Sequence, residues 1–199
     1  MSVSAHPTKE RLILVTASLM DGERPDKVHI DEVILESGIS KGSLYHHFQD
    51  FSDLIEAALI RRFSIHVDRN IEMIERLLVN SSNKEDFIEG LKGVTRATQD
   101  PALAKNRFER ARALGMAGSN LRFKEALSVE QDRLTSALED LFRESQNRGW
   151  LASGYSPRAG AVMIQAYTLG QAINDVSDTK YDNEDWIALV DQMLDRVFS

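Results

Sequence analysis

The sequence has no cysteine, which excludes disulfides, thiolate metal sites and cysteine nucleophiles together. Four prolines and eleven glycines in 199 residues are too few for a collagen-like or linker-rich chain. No apolar run approaches the ~18 residues that a membrane-spanning helix requires. The start, Met1 to Lys9, has neither the basic stretch nor the apolar core of a secretory signal. Strand patterning is nearly absent: from Leu12 to Phe198 apolar residues recur at three and four, not at two. A glycine-rich phosphate loop, His-Glu-x-x-His and Gly-x-Ser-x-Gly are all missing. Adjacent His46 and His47 lie ~100° apart around a helix, so they do not easily share a metal. The expectation is a soluble, cytoplasmic, all-α protein with no membrane contact, no enzymatic activity, no metal and no cofactor.

What is present supports a folded chain. Hydrophobic residues make up 42%, more than disordered chains carry. The net charge is −7, which argues against non-specific attraction to polyphosphates. Up to Asp53 the balance is also acidic, five basic residues (Lys9, Arg11, Arg24, Lys27, Lys41) against nine acidic ones. Four of the five histidines (His6, His29, His46, His47) lie in that same stretch.

Helices are expected at about 9–20, 30–36, 41–47, 50–79, 84–98, 101–117, 120–148, 157–176 and 183–197. Asp21-Gly22-Glu23-Arg24-Pro25 breaks the first of them, and Gly38 suits a left-handed cap after the second. Ser40 and Ser156 are N-cap candidates, and Pro101 and Pro157 fit first-turn positions. Asn80-Ser81-Ser82-Asn83 ends the long helix, whose stripe is Ile60, Phe63, Val67, Ile71, Ile74 and Leu78. Asp182, Glu184 and Asp185 read as helix N-terminal charges.

Two short helices joined through Glu36-Ser37-Gly38-Ile39-Ser40 have the length and turn chemistry of a helix-turn-helix. Val33, Ile34, Ile39, Leu44 and Phe48 are spaced to make a small core with Leu12, Val15 and Leu19. Lys41, Gly42, Ser43, Tyr45, His46 and His47 are then left on or near an outer face able to meet phosphates and base edges.

The stretch Gly38-Ile39-Ser40-Lys41-Gly42-Ser43-Leu44-Tyr45-His46-His47-Phe48 resembles the recognition-helix signature of the tetracycline-repressor (TetR) family of bacterial transcription regulators. The Arg11-to-Met20 helix, Val33 and Leu54 sit at matching offsets, so the likeness covers about 10–60. It implies a DNA-binding domain over 1–50 and a helical effector-binding and dimerisation domain over 51–199. It further implies a homodimer on a pseudo-palindromic double-stranded DNA operator, released by a small-molecule effector, and a repressor in preference to an activator. By position His29, Ser40, Lys41, Gly42, Ser43, Tyr45, His46 and His47 would face DNA. Tyr45 and His47 would anchor phosphate, and Lys41 and Ser43 would contact bases.

Three positions depart from the family pattern. Phe51 stands where a phosphate-binding lysine is common, His29 where a threonine often caps the second helix, and Ile34 where a small alanine is usual. With the acidic balance, they imply fewer phosphate contacts and a shallower salt dependence than in a basic relative. The histidines would gain protons near phosphate, so operator binding should tighten as pH falls from about 8 to 6. The alternative is that His46 and His47 stay neutral donors.

In the second domain Leu103, Arg107, Arg110 and Leu114 share one helical face, where two arginines framed by leucines would suit an anionic ligand. The competing reading puts Lys105, Arg107, Arg110 and Arg112 on a solvated face and buries Ala104, Phe108, Ala111 and Gly115. Met163, Tyr167 and Gln171, with Phe63, His66 and Asn70 opposite, are further ligand candidates, although such residues are more often core or surface. Ala159, Val162, Ala166, Leu169, Gly170 and Ile173, together with Trp186, Leu189, Val190, Met193, Leu194 and Val197, form two stripes. These last two helices are expected to form the homodimer interface as a four-helix bundle, unless the intrachain core consumes one stripe. A helical ligand-binding or adaptor protein with a vestigial DNA-binding domain, Phe51 exposed as an anchor, is the alternative.

Overall fold

The computed structural model describes residues 6–20 and 25–198. They form α1 (Pro7–Leu19), α2 (Ile30–Ser37), α3 (Lys41–His47), α4 (Phe51–Asn80), α5 (Lys84–Gln99), α6 (Ala104–Ala117), α7 (Leu121–Asn147), α8 (Pro157–Val176) and α9 (Asn183–Val197). Short 3-10 turns span Pro25–Lys27 and Pro101–Leu103, and no strand occurs among the described residues. The expected break at Asp21-Gly22-Glu23-Arg24 lies outside them.

Most helix ends follow from local chemistry. Ser40 accepts from the Ser43 N–H at 3.2 Å, Asn83 from Asp86 at 2.8 Å and Ser156 from Ala159 at 3.3 Å, each satisfying an orphan donor of the first turn. Pro101 opens a 3-10 turn and not the α-helix itself. Asp100 takes the Ala102 N–H on its side chain and the Leu103 N–H on its carbonyl, which tightens that turn to i→i+3.

The chain divides into two compact units, Met1–His66 and Val67–Ser199. The expected boundary at residue 50 falls at the start of α4, and residues 51–66 of that helix belong to the first unit. Leu54 and Ala58 explain this, because both are fully buried in the first unit's core with Leu12, Ala17, Met20, Val28, Val33, Leu44 and Phe48. Ile39 and Leu19 pack against that core as their spacing implies. Val15 and Ile34 are half-buried and Ile13 packs there instead, since Leu12, Thr16 and Met20 stack at i, i+4 and i+8 on the inner face of α1.

The turn between α2 and α3 is closely specified. Gly38 holds φ at +67° and donates to the Ile34 carbonyl at 3.0 Å. The Ile39 N–H donates to Ser37 Oγ at 3.2 Å, and Arg11 Nε of α1 donates to the Ser37 carbonyl at 2.7 Å. All three bonds satisfy groups that the end of α2 would otherwise leave open.

In the second unit α7 and α8 approach closely at Gly160, where a Cβ would lie 2.9 Å from the Phe142 ring. Phe142 stacks toward Phe198, Phe198 meets Phe87 edge-on at 5.4 Å, and Phe87 meets Trp150 at 5.4 Å. Such aromatic pairs add stabilisation beyond the area they bury. Lys92 pairs with Asp195 at 2.8 Å, which joins α5 to α9 at the surface.

Gly38→Ala should lower the unfolding free energy by about 1–2 kcal/mol, because a Cβ there meets nothing within 4 Å and the cost is the left-handed backbone. Urea titration reads this directly.

Candidate functional site

The outer face of α3 in the first unit and a cavity in the second are both open to a partner. In α3, Leu44 is fully buried and Phe48 nearly so, and this fixes the opposite face outward. Ser40, Lys41, Gly42, Tyr45 and His46 are exposed on it, with Ser43 and His47 half-buried. His29 is exposed as the N-cap of α2, its backbone N–H donating to Glu32 at 2.9 Å. The expected DNA-facing residues therefore share one accessible region apart from His29, which heads the preceding helix.

Two residues outside the motif join this region. The His6 ring lies 4.7 Å from that of His47, which stands 5.2 Å from His46. Lys9 Nζ sits 5.3 Å over the Phe48 ring. Desolvation, followed by repulsion from His6, His46 and Lys9, pushes the His47 imidazole below its ordinary value. Contacts between α1 and α3 are invisible in a local motif, but an N-cap histidine followed by Lys9 on α1 was a usable signal.

The acidic residues after α3 have local work. Asp53 accepts from the Gln49 N–H at 3.1 Å, and Asp50 accepts from the Asp53 N–H at 2.7 Å, together capping the start of α4. Phe51 is half-buried and packs against the first unit's core, so the expectation of an exposed anchor there is corrected. An aromatic ring at the first position of α4 covers the core edge beside Leu54.

The cavity lies among α4, α5, α6, α7 and α8 of the second unit. About 570 Å³ of atom-free space, part of it open to solvent, surrounds an inner volume of about 50 Å³. Asn70, Arg110 and Tyr167 meet there, with Thr95, Thr98 and Gln165 as polar neighbours that the spacing argument did not select. Thr95 and Thr98 sit one turn apart from Leu91 on α5, so the polar-on-apolar face was readable. The Tyr167 hydroxyl lies 3.2 Å from Thr95 Oγ1, and burial pushes its ionisation above the ordinary value, which keeps it a neutral donor. Met163 instead borders a second, apolar space with Phe142, Tyr155, Val190 and Phe198, and Tyr167 lines both.

Arg107 does not line this cavity. Its guanidinium meets Asp175 bidentately at 2.6 and 2.9 Å and donates to the Asp100 carbonyl at 3.1 Å, with both side chains almost fully buried. Gln171 is buried too, its amide donating to Asn183 at 3.4 Å while Oε1 has no partner among the described residues. Phe63 is buried and His66 half-buried, and both belong to the first unit. Of the α9 stripe, Val190 and Leu194 go to the intrachain core, whereas Leu189 and Met193 are exposed. On α8, Val162 and Met163 are exposed, and Ile173 retains 80% of its accessible surface. No helix of the described residues is long and apolar enough to cross a membrane, and no cluster of acidic and histidine side chains among them could hold a metal ion.

No family model and no curated protein matches this sequence. Solved structures do match. A TetR-family transcriptional regulator from Mesorhizobium loti superposes with a TM-score of 0.71 at 16% identity, covering 99% of this chain and 97% of that one. The chain has the TetR-regulator fold. A TetR-family regulator from Agrobacterium tumefaciens matches at a TM-score of 0.62 and 16% identity, over 96% of this chain and 98% of that one. GusR of Salmonella enterica matches at 0.63 and 20% identity, over 98% of each chain. In this TetR fold the residues of the α3 signature occupy the second helix of the helix-turn-helix.

Arg107→Leu should cost about 3–5 kcal/mol by leaving the Asp175 carboxylate buried without a counter-charge, and Arg107→Leu with Asp175→Leu should recover most of it. Thermal and urea unfolding of the three proteins measures both steps.

Proposed function

We propose that this chain is a dimeric, sequence-specific DNA-binding transcriptional regulator, a repressor released from a pseudo-palindromic operator by a small molecule. The observation that carries the reading is the α3 face: Lys41, Ser43, Tyr45 and His46 reach outward from a short helix whose entry is set by Gly38 and Ser40. A helix presented in this way enters the major groove by its N-terminal residues. Lys41 and Ser43 take base edges, and Tyr45 and His47 take phosphates. Residues 1–50 supply the DNA contacts and 51–199 the effector cavity and dimer face.

The α8–α9 surface supports dimerisation. Val162, Ile173, Leu189 and Met193 are exposed apolar residues on the last two helices, and a second copy of the same face covers them as a four-helix bundle. Residues 70–77 of α4 border the cavity while its first turns complete the small core. Effector binding shifts the population toward a dimer whose recognition helices no longer match successive major grooves. The role belongs in the cytoplasm, with the chromosome.

An adaptor or vestigial reading draws on the acidic balance of the first unit. Its support is weakened by Asp50 and Asp53, whose carboxylates cap α4, and by Phe51, which packs inward.

Mobility shifts with the DNA upstream of its own gene test the proposal. Lys41→Ala and Tyr45→Ala should each weaken binding about tenfold or more, the value of one good polar contact, with the melting temperature and dimer mass unchanged. Wild-type-like binding by both variants would contradict it.

The pH dependence has a defined sign. His47 is held below its ordinary 6.5 in the free protein, so it is neutral at pH 7. Phosphate raises it in the complex, so binding takes up a proton and tightens as pH falls through the complex's value. The gain levels off once pH drops below the free protein's value. His47→Gln should flatten the profile between pH 8 and 6, measured by fluorescence anisotropy.

A further inference from the structure

Arg107 and Arg110 sit three residues apart on α6 and meet opposite fates. Arg107 is saturated by Asp175 and the Asp100 carbonyl. Arg110, half-buried, borders the α4–α8 cavity and has no hydrogen-bond or ion-pair partner among the described residues. Burial alone pushes its guanidinium below the ordinary value, and no carboxylate offsets it. An arginine nevertheless stays protonated, so the charge is permanent. A cation held against an apolar wall without a counter-ion costs free energy that the fold regains when an anion arrives.

The rest of the lining defines what that anion carries. Neutral polar neighbours spend their hydrogen bonds within the protein. Thr95 bonds the Leu91 carbonyl and Thr168 the Ile164 carbonyl, while Gln165 bonds Gln131, Thr135 and the Ala161 carbonyl. The remaining wall is aliphatic, with Ile74, Leu91, Leu134, Leu138 and Ile164 among its side chains. Among the described residues Arg110 is the one cationic side chain on that wall. A single guanidinium pairs with one carboxylate and under-compensates a phosphate dianion. The Tyr167 hydroxyl spends its proton on Thr95 Oγ1, whose own proton goes to the Leu91 carbonyl, so Arg110 is left to pair the anion.

We propose that this cavity binds an amphipathic organic monocarboxylate, with its carboxylate on the Arg110 guanidinium and its apolar body among the leucines of α5 and α7. The inference rests on the reading of the second unit as an effector-binding module. With an inner volume of about 50 Å³, the cavity closes around little more than a few atoms until a ligand parts the helices. Binding therefore separates residues of α4 from those of α5, α7 and α8 that face them. Tyr167 also lines the neighbouring apolar space beside Met163 and Phe198, which offers longer bodies a continuation past its ring.

The full-length chain without DNA, titrated with straight-chain and arylalkyl carboxylates from hexanoate to dodecanoate and 4-phenylbutyrate, tests this directly. Each acid is run beside its neutral carboxamide, and affinity is read by calorimetry and thermal shift. At least one carboxylate should bind and raise the melting temperature while its carboxamide does not. Arg110→Gln should weaken that binding about tenfold or more, and unliganded Arg110→Gln should melt no lower than wild type because it removes an unpaired charge. Leu138→Phe, which fills the apolar end and leaves the charge, should weaken the longer acids more than the shorter ones. Failure of every acid to bind, equal binding by Arg110→Gln, or a markedly less stable unliganded variant would overturn the proposal. Because DNA is absent, carboxylate binding without operator release would count against the regulatory reading alone. Operator selection without any carboxylate binding would count against the ligand class alone.

Discussion

The outer face of α3 depends on the backbone at Gly38. With φ at +67° the chain leaves α2 along a path that side chains with a Cβ adopt only at a cost. That exit turns Leu44 and Phe48 inward, and they join Leu12, Val33 and Leu54 in the first unit's core. Burial of the two apolar residues in turn fixes Lys41, Tyr45 and His46 outward. The bond from Arg11 to the Ser37 carbonyl and the Ser40 cap hold the turn from both sides. A short helix is marginal by itself, so its geometry comes from these tertiary and capping contacts.

The second unit shows how permanent charge is distributed in a helical core. Arg107 and Asp175 remove each other from solvent with two parallel hydrogen bonds, a geometry that tolerates burial because the fork of the guanidinium matches the carboxylate. One helical turn away Arg110, half-buried, lines the cavity without such a partner among the described residues. The contrast separates a buried ion pair from a half-buried charge without one among the described residues. Exposed pairs such as Arg133 with Asp68 contribute little beyond this, since solvent screens them.

Helix positions were legible because their signals are local. Gly38, Ser40, Asn83, Ser156 and Pro157 act through bonds within a few residues, and the helices end close to where those residues stand. The α3 signature was legible for the same reason, and the TetR fold agrees with it. Arg107 was not, because its partner lies 68 positions away on α8 and nothing in the 101–117 stretch signals a carboxylate there. Periodicity grouped Arg107 with Arg110, yet a helix face wide enough to hold both does not say which one a neighbouring helix will meet. The approach of His6 and Lys9 to the end of α3 was likewise set by packing of α1, and the start of α6 by the Asp100 turn. On α9 the stripe divided, Val190 and Leu194 inward and Leu189 and Met193 outward, since an amphipathic pattern fixes a direction and not its occupant.

The central claim is that α3 reads DNA sequence as part of a two-fold dimer. Selection of bound sequences from a random double-stranded pool, with the full-length chain at moderate salt, measures this most directly. The account predicts an inverted-repeat motif whose half-sites are centred about one helical turn, ~34 Å, or a multiple of it apart. No enrichment at either moderate or low salt would contradict it.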